Sequence, residues 1–185
     1  MLLISKFSTD NVERKITEIE KEYSVTLPTE YKKFLCKYNG GHTPDTNFKL
    51  KRTSSTLRAF YGVGDVDYSL DKFDFNEWIE RNVFPIACDH FGNYIVIGLR
   101  AGKAGKIYFY DHEEGHKPKE LADNLTEFFK CCKSKKMEPV PSIEERERSM
   151  IEKGRGEYIT DSLRKAWQEE IDLYGNMVQE EAVID

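Results

Sequence analysis

FPIACDHFGNYIVIGLRAGKAGKIYFYDHEEGH, residues 84–116, contains three short runs rich in valine, isoleucine, tyrosine and phenylalanine. Residues of these types favour β-strands. The connections between the runs are short and rich in glycine, asparagine and aspartate, which tight turns prefer. The predicted strands are residues 84–87, 94–99 and 106–110. Two consecutive tight connections predict an antiparallel meander.

Two helices are predicted before the meander. Residues 9–23 and residues 28–38 each carry an apolar stripe with the spacing of an amphipathic helix. Pro28 can occupy the first position of the second helix, and Asn39-Gly40-Gly41 supplies a stop signal after it. We therefore expect an N-terminal helical pair.

Further elements are predicted on both sides of the meander. Before it, residues 48–50 and 56–61 predict strands joined by a loop, and residues 75–81 predict one or two helical turns. After it, apolar residues at helical spacing predict a helix over residues 121–133.

The chain changes in character at the proline-containing segment 137–142. Residues 1–136 contain 22 basic and 20 acidic residues, whereas residues 137–185 contain 6 basic and 13 acidic residues. Helical patterns cover residues 143–153 and 161–174. We predict one domain over residues 1–136 and an acidic, largely helical C-terminal extension over residues 137–185.

The composition is that of a globular protein with a charged surface. The chain has 185 residues, of which 33% are charged and 39% hydrophobic, and its mean hydropathy is -0.64. Because no apolar run approaches the roughly 20 residues that span a bilayer, we expect a cytoplasmic protein without membrane contact. The four cysteines form no C-x-x-C pair, so we expect reduced thiols.

The end of the quoted segment, HEEGH at residues 112–116, matches the zinc-protease pattern H-E-x-x-H. That pattern binds zinc when a helix places both histidines on one face, with the glutamate beside the activated water. Here a predicted strand leads into the segment, Gly115 lies within it and Pro118 follows it, and each feature opposes a helix. The sequence favours a solvated turn that begins at Glu113, and no metal site.

Cys88-Asp89-His90 is a second candidate site, because a hairpin can bring it near His112 as a Cys/His/Asp nucleophile set. Asp89 and the following Gly92-Asn93 are also the residues that a tight turn requires. The glycines lack the context of a phosphate loop, and the lysines of residues 130–136 are typical of a solvated helix end. We therefore expect no catalytic residue, no cofactor and no direct contact with nucleic acid.

Several blocks of the sequence, in their order and spacing, resemble the SUKH superfamily, which includes fungal cell-wall synthesis regulators and many bacterial toxin-immunity proteins. The blocks are Leu27-Pro28-Thr29-Glu30-Tyr31, Phe34-Leu35, Asn39-Gly40-Gly41, Phe84-Pro85-Ile86, Asp89, Gly92-Asn93 and residues 105–113. The resemblance covers residues 5–135. Tyr110 stands where many members have tryptophan, and residues 65–82 match only loosely.

The resemblance implies an α+β domain in which an N-terminal helical pair and C-terminal helices pack on a curved antiparallel sheet, without enzymatic activity. For bacterial members it implies an immunity protein, or antitoxin, that binds and neutralises a cognate protein toxin, often a nuclease. The alternative is an intracellular adaptor or regulator of the same fold, with no toxin partner. A hydrolase that uses His112, Glu113 and His116, or Cys88 with His90, is the third hypothesis.

Charged turns in and beside the meander provide the candidate partner-binding residues. They are Asp65, Asp67, Asp89, His90, Glu113 and Glu114. If the toxin is a basic nuclease, negative charge here and in the C-terminal extension would steer its approach. The sequence leaves the identity of the toxin and the oligomeric state open.

Overall fold

The computed structural model describes residues 1–115 and 117–184, and its helices and strands follow one another mostly in groups of the same type. The elements are β1 (Leu3–Lys6), α1 (Val12–Glu22), α2 (Thr29–Tyr38), β2 (Gly41–Leu50), β3 (Thr53–Phe60), α3 (Asn76–Glu80), β4 (Val83–Cys88), β5 (Tyr94–Gly98), β6 (Ile107–Tyr110), β7 (Pro118–Ala122), α4 (Leu125–Cys131), β8 (Cys132–Ser134), α5 (Ile143–Glu152), α6 (Asp161–Tyr174) and β9 (Glu180–Glu181). Short 3₁₀ helices occupy Leu70–Lys72 and Gly156–Tyr158.

The strands form one antiparallel sheet in the order β7-β6-β5-β4-β3-β2-β1-β9, with β8 beside β2. The predicted meander is its β4-β5-β6 portion, and the α+β fold with helices flanking the sheet is confirmed. Strand β2 has a β-bulge between His42 and Thr46, at Pro44. The first part of β2 pairs with β1, and the part after the bulge pairs with β8. The bulge thus allows one long strand to have two successive neighbours on the same side.

The main core lies between the sheet and helices α1, α2 and α4. Phe34 of α2 is fully buried, and its ring centroid lies 5.0 Å from that of Phe60 and 5.5 Å from that of Phe129. A smaller cluster lies on the other face of the meander, where Val96 and Tyr110 are buried and Trp78 of α3 packs against them. Both faces of the meander are therefore covered, which explains its nearly continuous apolar runs.

The structure differs from the sequence prediction in two places. The helix predicted over residues 121–133 is present but shorter, as α4, because Ala122 and the residues before it pair with β6 and Cys132 begins β8. The apolar N-terminal residues form β1, which the sequence reading did not include. Tertiary pairing overrides local periodicity at both places.

The chain forms two compact units. One comprises residues 1–136 together with residues 179–184, whose strand β9 pairs with β1. The other comprises Met137–Val178 and contains α5 and α6. The domain limits predicted from sequence, 1–136 and 137–185, stay a prediction. No helix within the described residues is long and apolar enough to cross a bilayer.

Candidate functional site

The turn between β4 and β5 is held by one buried carboxylate. Asp89 is 2% exposed and accepts hydrogen bonds from the backbone N–H of Phe91 at 2.8 Å and of Asn93 at 2.9 Å. It also accepts from the Asn93 side chain and from the Ser55 hydroxyl of β3, both at 2.7 Å. Gly92 has φ 86°, which glycine adopts without strain. Asp89 therefore fixes the conformation of the turn.

The same turn is joined to the segment that follows β6. Asn93 Oδ1 accepts from the backbone N–H of His112 at 3.0 Å and lies 2.8 Å from His112 Nδ1. Because the amide oxygen can only accept, the proton of the imidazole is assigned to Nδ1 in this contact. These contacts join the turn that contains His90 to the segment that carries Glu113 and Glu114.

Residues 112–115 form an exposed turn, as predicted, and Gly115 has φ 67°. His116, the second histidine of the zinc pattern, lies outside the described residues. Within residues 1–115 and 117–184, no group of three or more histidine, cysteine, aspartate or glutamate side chains is arranged to hold a metal ion. Without a helix here, His112 lacks the geometry on which the zinc pattern depends.

Cys88 and His90, the proposed nucleophile and base, have different environments. Cys88 is buried, and burial raises the pKa of its thiol. His90 is exposed on the turn. A buried thiol with a raised pKa is poorly suited to nucleophilic attack.

Phe91 projects from the tip of the β4–β5 turn and is 65% exposed. It lies between two grooves that share Ser54, Ser55 and Phe91 in their walls. The first, here called the Asp111 groove, has a volume of about 670 Å³ and is otherwise lined by Lys51, Arg52, Thr53, Asn93, Phe109, Asp111, Lys119 and Glu120. The second, the Lys133 groove, has a volume of about 490 Å³ and is otherwise lined by Asn47, Phe48, Lys49, Thr56, Cys131 and Lys133.

The lysines of the Asp111 groove have acidic partners. Lys119 Nζ lies 3.0 Å from a Glu114 carboxylate oxygen and 3.6 Å from one of Asp111. Lys51 lies 2.9 Å from Glu120. Hydrogen bonds from Lys51 and from Lys106 lower the pKa of the Glu120 carboxyl, and the hydrogen bond to Glu114 raises the pKa of Lys119. The charges of this groove are largely compensated within the protein.

The lysines of the Lys133 groove differ in this respect. Among the described residues, neither Lys49 nor Lys133 has an ion-pair partner, and none of the residues that line this groove is acidic. The Oγ1 atom of Thr56, another wall residue, is buried and has no hydrogen-bond partner within the described part of the chain. This groove therefore has uncompensated positive charge and an unsatisfied hydroxyl.

The six predicted partner-binding residues lie in two places. Asp89, His90, Glu113 and Glu114 lie in the two joined turns near Phe91. Asp65 and Asp67 lie in the loop that follows β3, at the opposite end of that strand, where Asp67 is 2.9 Å from His42 Nε2. Sequence reasoning missed Phe91 and Lys49, and it interpreted Lys133 as part of a solvated helix end, whereas Lys133 lies in β8. An aromatic residue between Asp89 and Gly92 of a tight turn is a signal that could have identified Phe91.

A family model of the SUKH superfamily, described as SMI1-KNR4 cell-wall, matches residues 13–129. The chain belongs to the SUKH superfamily. One similar protein is the SPbeta prophage-derived uncharacterized protein YokK of Bacillus subtilis (strain 168). It is 29% identical over 147 residues, which cover 66% of this chain and 75% of that protein. No solved structure matches the chain significantly.

The residues that carry the SUKH resemblance have structural roles in the fold. The Glu30 carboxylate accepts hydrogen bonds from the backbone N–H groups of Leu125 at 3.0 Å and Thr126 at 3.1 Å, and so caps the first turn of α4. A Cβ atom on Gly41 would lie 2.4 Å from the carbonyl oxygen of Ser5. Together with Asp89, these positions hold helices, strands and turns in place.

Proposed function

We propose that this SUKH protein is a bacterial immunity protein that acts in the cytoplasm by binding a cognate toxin protein and blocking its activity. Membership of the SUKH superfamily and the prophage origin of a similar protein support this role. Binding, in preference to catalysis, agrees with the structural roles of Asp89 and Asn93 and with the buried state of Cys88.

The observation that carries the proposal is the exposure of Phe91 on a turn whose conformation is fixed. Large exposed aromatic side chains contribute strongly to binding when a partner covers them. The hydrogen bonds of Asp89 hold the turn before binding, which lowers the entropy that association costs. We therefore place the centre of the toxin contact at Phe91.

The predicted charged residues fit around this centre in different ways. His90, Glu113 and Glu114 are exposed beside the turn and would contact the toxin directly. Asp89 is buried and would act through the shape of the turn. Asp65 and Asp67 would form a separate contact at the other end of β3. The acidic residues of 137–185 would increase the association rate with a basic toxin, and salt would reduce this effect.

Co-expression with the toxin encoded beside the gene tests the proposal. We expect protection of the host cell and a stoichiometric complex that salt weakens. Phe91→Ala should weaken the complex at least about 30-fold, as expected for loss of a central aromatic contact. Tyr158→Ala is the matched control, because Tyr158 is an aromatic residue of similar exposure, 62%, in the other compact unit.

Two results would contradict the proposal. If the wild-type protein gives neither protection nor a complex, the toxin is not its partner. If Tyr158→Ala weakens the complex and Phe91→Ala does not, the contact lies elsewhere.

An adaptor or regulator is the second candidate, and the description of the family model as cell-wall favours it. Its partners would be proteins of the host cell. Affinity purification with wild-type protein and Phe91→Ala distinguishes the two functions, since an adaptor would retain the same host proteins in cells that lack the toxin gene.

A further inference from the structure

We propose that the Lys133 groove receives an acidic segment of the partner protein, whose carboxylates pair with Lys49 and Lys133 while an apolar side chain packs on Phe91. This inference rests on the proposed function, because it gives the chemistry of the partner at one part of the contact surface. The inference predicts that the partner, whether it is a toxin or a protein bound by an adaptor, carries negative charge on the surface that meets the Lys133 groove.

Strand register places the two lysines on one face of the sheet. Asn47 of β2 pairs with Lys133 of β8. Lys49 lies two residues after Asn47, so its side chain points to the same face. Side chains related in this diagonal way lie about 7–8 Å apart. The neighbouring residues Phe48 and Thr46 are buried, and therefore the face of Lys49 is the one turned away from the core.

The charge of this face differs from that of the adjacent groove. The chain has a net charge of -5, and the lysines of the adjacent Asp111 groove each pair with a carboxylate. Lys49 and Lys133 instead repel each other across a groove without an acidic wall residue. A carboxylate between them would remove this repulsion and form two ion pairs.

Protection of a sheet edge explains only part of this arrangement. Lysines on edge strands prevent unwanted strand pairing, and β8 is a short strand beside β2. Lys49, however, lies on β2, an interior strand of the sheet. A function in binding accounts for both lysines.

The polar walls of the groove favour a protein segment with carboxylate and backbone groups. Thr56 Oγ1 is buried without a partner in the described chain, and Asn47 and Ser54 provide further donors and acceptors. Leaving a buried hydroxyl unsatisfied is unfavourable, and rotation of the Thr56 side chain toward a ligand group in the groove would recover that free energy. Phe91 at the rim adds an apolar surface suited to a leucine or aromatic side chain.

The first test measures affinity for the co-expressed toxin. We expect the double variant with Lys49→Glu and Lys133→Glu to bind at least about tenfold more weakly at low salt, and the double variant with Lys49→Arg and Lys133→Arg to bind nearly as well as wild type. The double variant with Lys21→Glu and Lys72→Glu, at two exposed lysines of the same unit, controls for the change in net charge. If the double glutamate variant binds the toxin normally while Phe91→Ala does not, this inference fails and the proposed function stands.

A second test needs no toxin. Backbone amide NMR shifts of the full chain are recorded with a short peptide that alternates glutamate and leucine, with a peptide that has lysine in place of glutamate, and with single-stranded DNA. We expect the acidic peptide alone to shift residues 47–56, Phe91 and residues 131–133. Equal shifts with the basic peptide, shifts elsewhere, or binding of DNA without the acidic peptide would each overturn the inference.

Discussion

The two compact units depend on different physical interactions. In the unit of residues 1–136 and 179–184, buried rings such as Phe34 pack between helices and sheet. In the unit of residues 137–178, all of which are described, no residue is fully buried, and Arg146 and Arg164 link α5 to α6 through ion pairs. Apolar burial is not weakened by charge screening, whereas exposed ion pairs contribute little and are screened. The residues that carry the SUKH resemblance all belong to the first unit.

Removing a buried aromatic ring from the first unit should have the largest effect on the stability of the protein. Phe34→Ala leaves a cavity among Phe60, Phe129 and Tyr38, so we expect the free energy of unfolding to fall by about 3–5 kcal/mol. Urea denaturation followed by fluorescence measures the change. Phe91→Ala, at an exposed ring, should change it by less than about 0.5 kcal/mol. Similar losses for both variants would show that packing around Phe34 is not what distinguishes this unit.

Neutralising Asp89 should have the next largest effect. In Asp89→Asn the side-chain NH₂ group meets N–H donors of the turn, and we expect a loss of about 3 kcal/mol with disordering of the β4–β5 turn. Asp65→Asn, at an exposed carboxylate, is the matched control. Denaturation gives the stability, and the NMR signal of Phe91 reports the turn. An Asp89→Asn protein as stable as Asp65→Asn would contradict the structural role of this carboxylate.

Changing the residue that caps α4 should lower the free energy of unfolding by a smaller amount. Glu30→Gln retains an acceptor oxygen but loses the charge opposite the helix N-terminus, so we expect a loss of about 1 kcal/mol. Glu13→Gln changes an exposed glutamate in the first turn of α1 and serves as the comparison. Faster amide exchange at Leu125 and Thr126 in Glu30→Gln alone would locate the effect at the cap. Unchanged exchange there would refute it.

Local residue patterns were sufficient to predict the meander and several helices, but not the edges of the sheet. The runs around Ile95 and Ile107 are apolar on both faces because both faces are covered, and this signal is present in the sequence itself. Strand β1 depends on pairing with β2 and β9, which are distant in sequence. Leu121 has helical spacing to Leu125, yet it lies in β7 beside β6. Pairing between distant strands decides these cases.

The candidate site, like the fold, could be predicted from the sequence only in part. The turn chemistry of Asp89, Gly92 and Asn93 was evident from the sequence, but not the burial of the Asp89 carboxylate, which depends on Ser55 of another strand. The Lys49 and Lys133 pair depends on the register between β2 and β8. No local pattern reports that register.

Removing an ion pair from the second unit should have the smallest effect. Arg146 donates to Glu170 at 2.7 Å, and this hydrogen bond holds the pKa of the Glu170 carboxyl below its ordinary value of 4.5. The stabilisation is therefore present above pH 4.5 and is lost as the pH falls through the lowered pKa. We expect Arg146→Ala to speed amide exchange in α6 by less than about fivefold at neutral pH and low salt. The difference from wild type should decrease at high salt and at acidic pH, because either condition removes the interaction in the wild-type protein as well.

Arg148→Ala, on the same helix, is the control, and amide exchange in β5 should be unaffected by both variants. The guanidinium carbon of Arg146 lies 5.8 Å from the ring centroid of Trp167. A larger effect of Arg146→Ala that persists at high salt and low pH would show that the side chain stabilises the unit by packing on this ring. The two units would then differ only in how much they depend on packing.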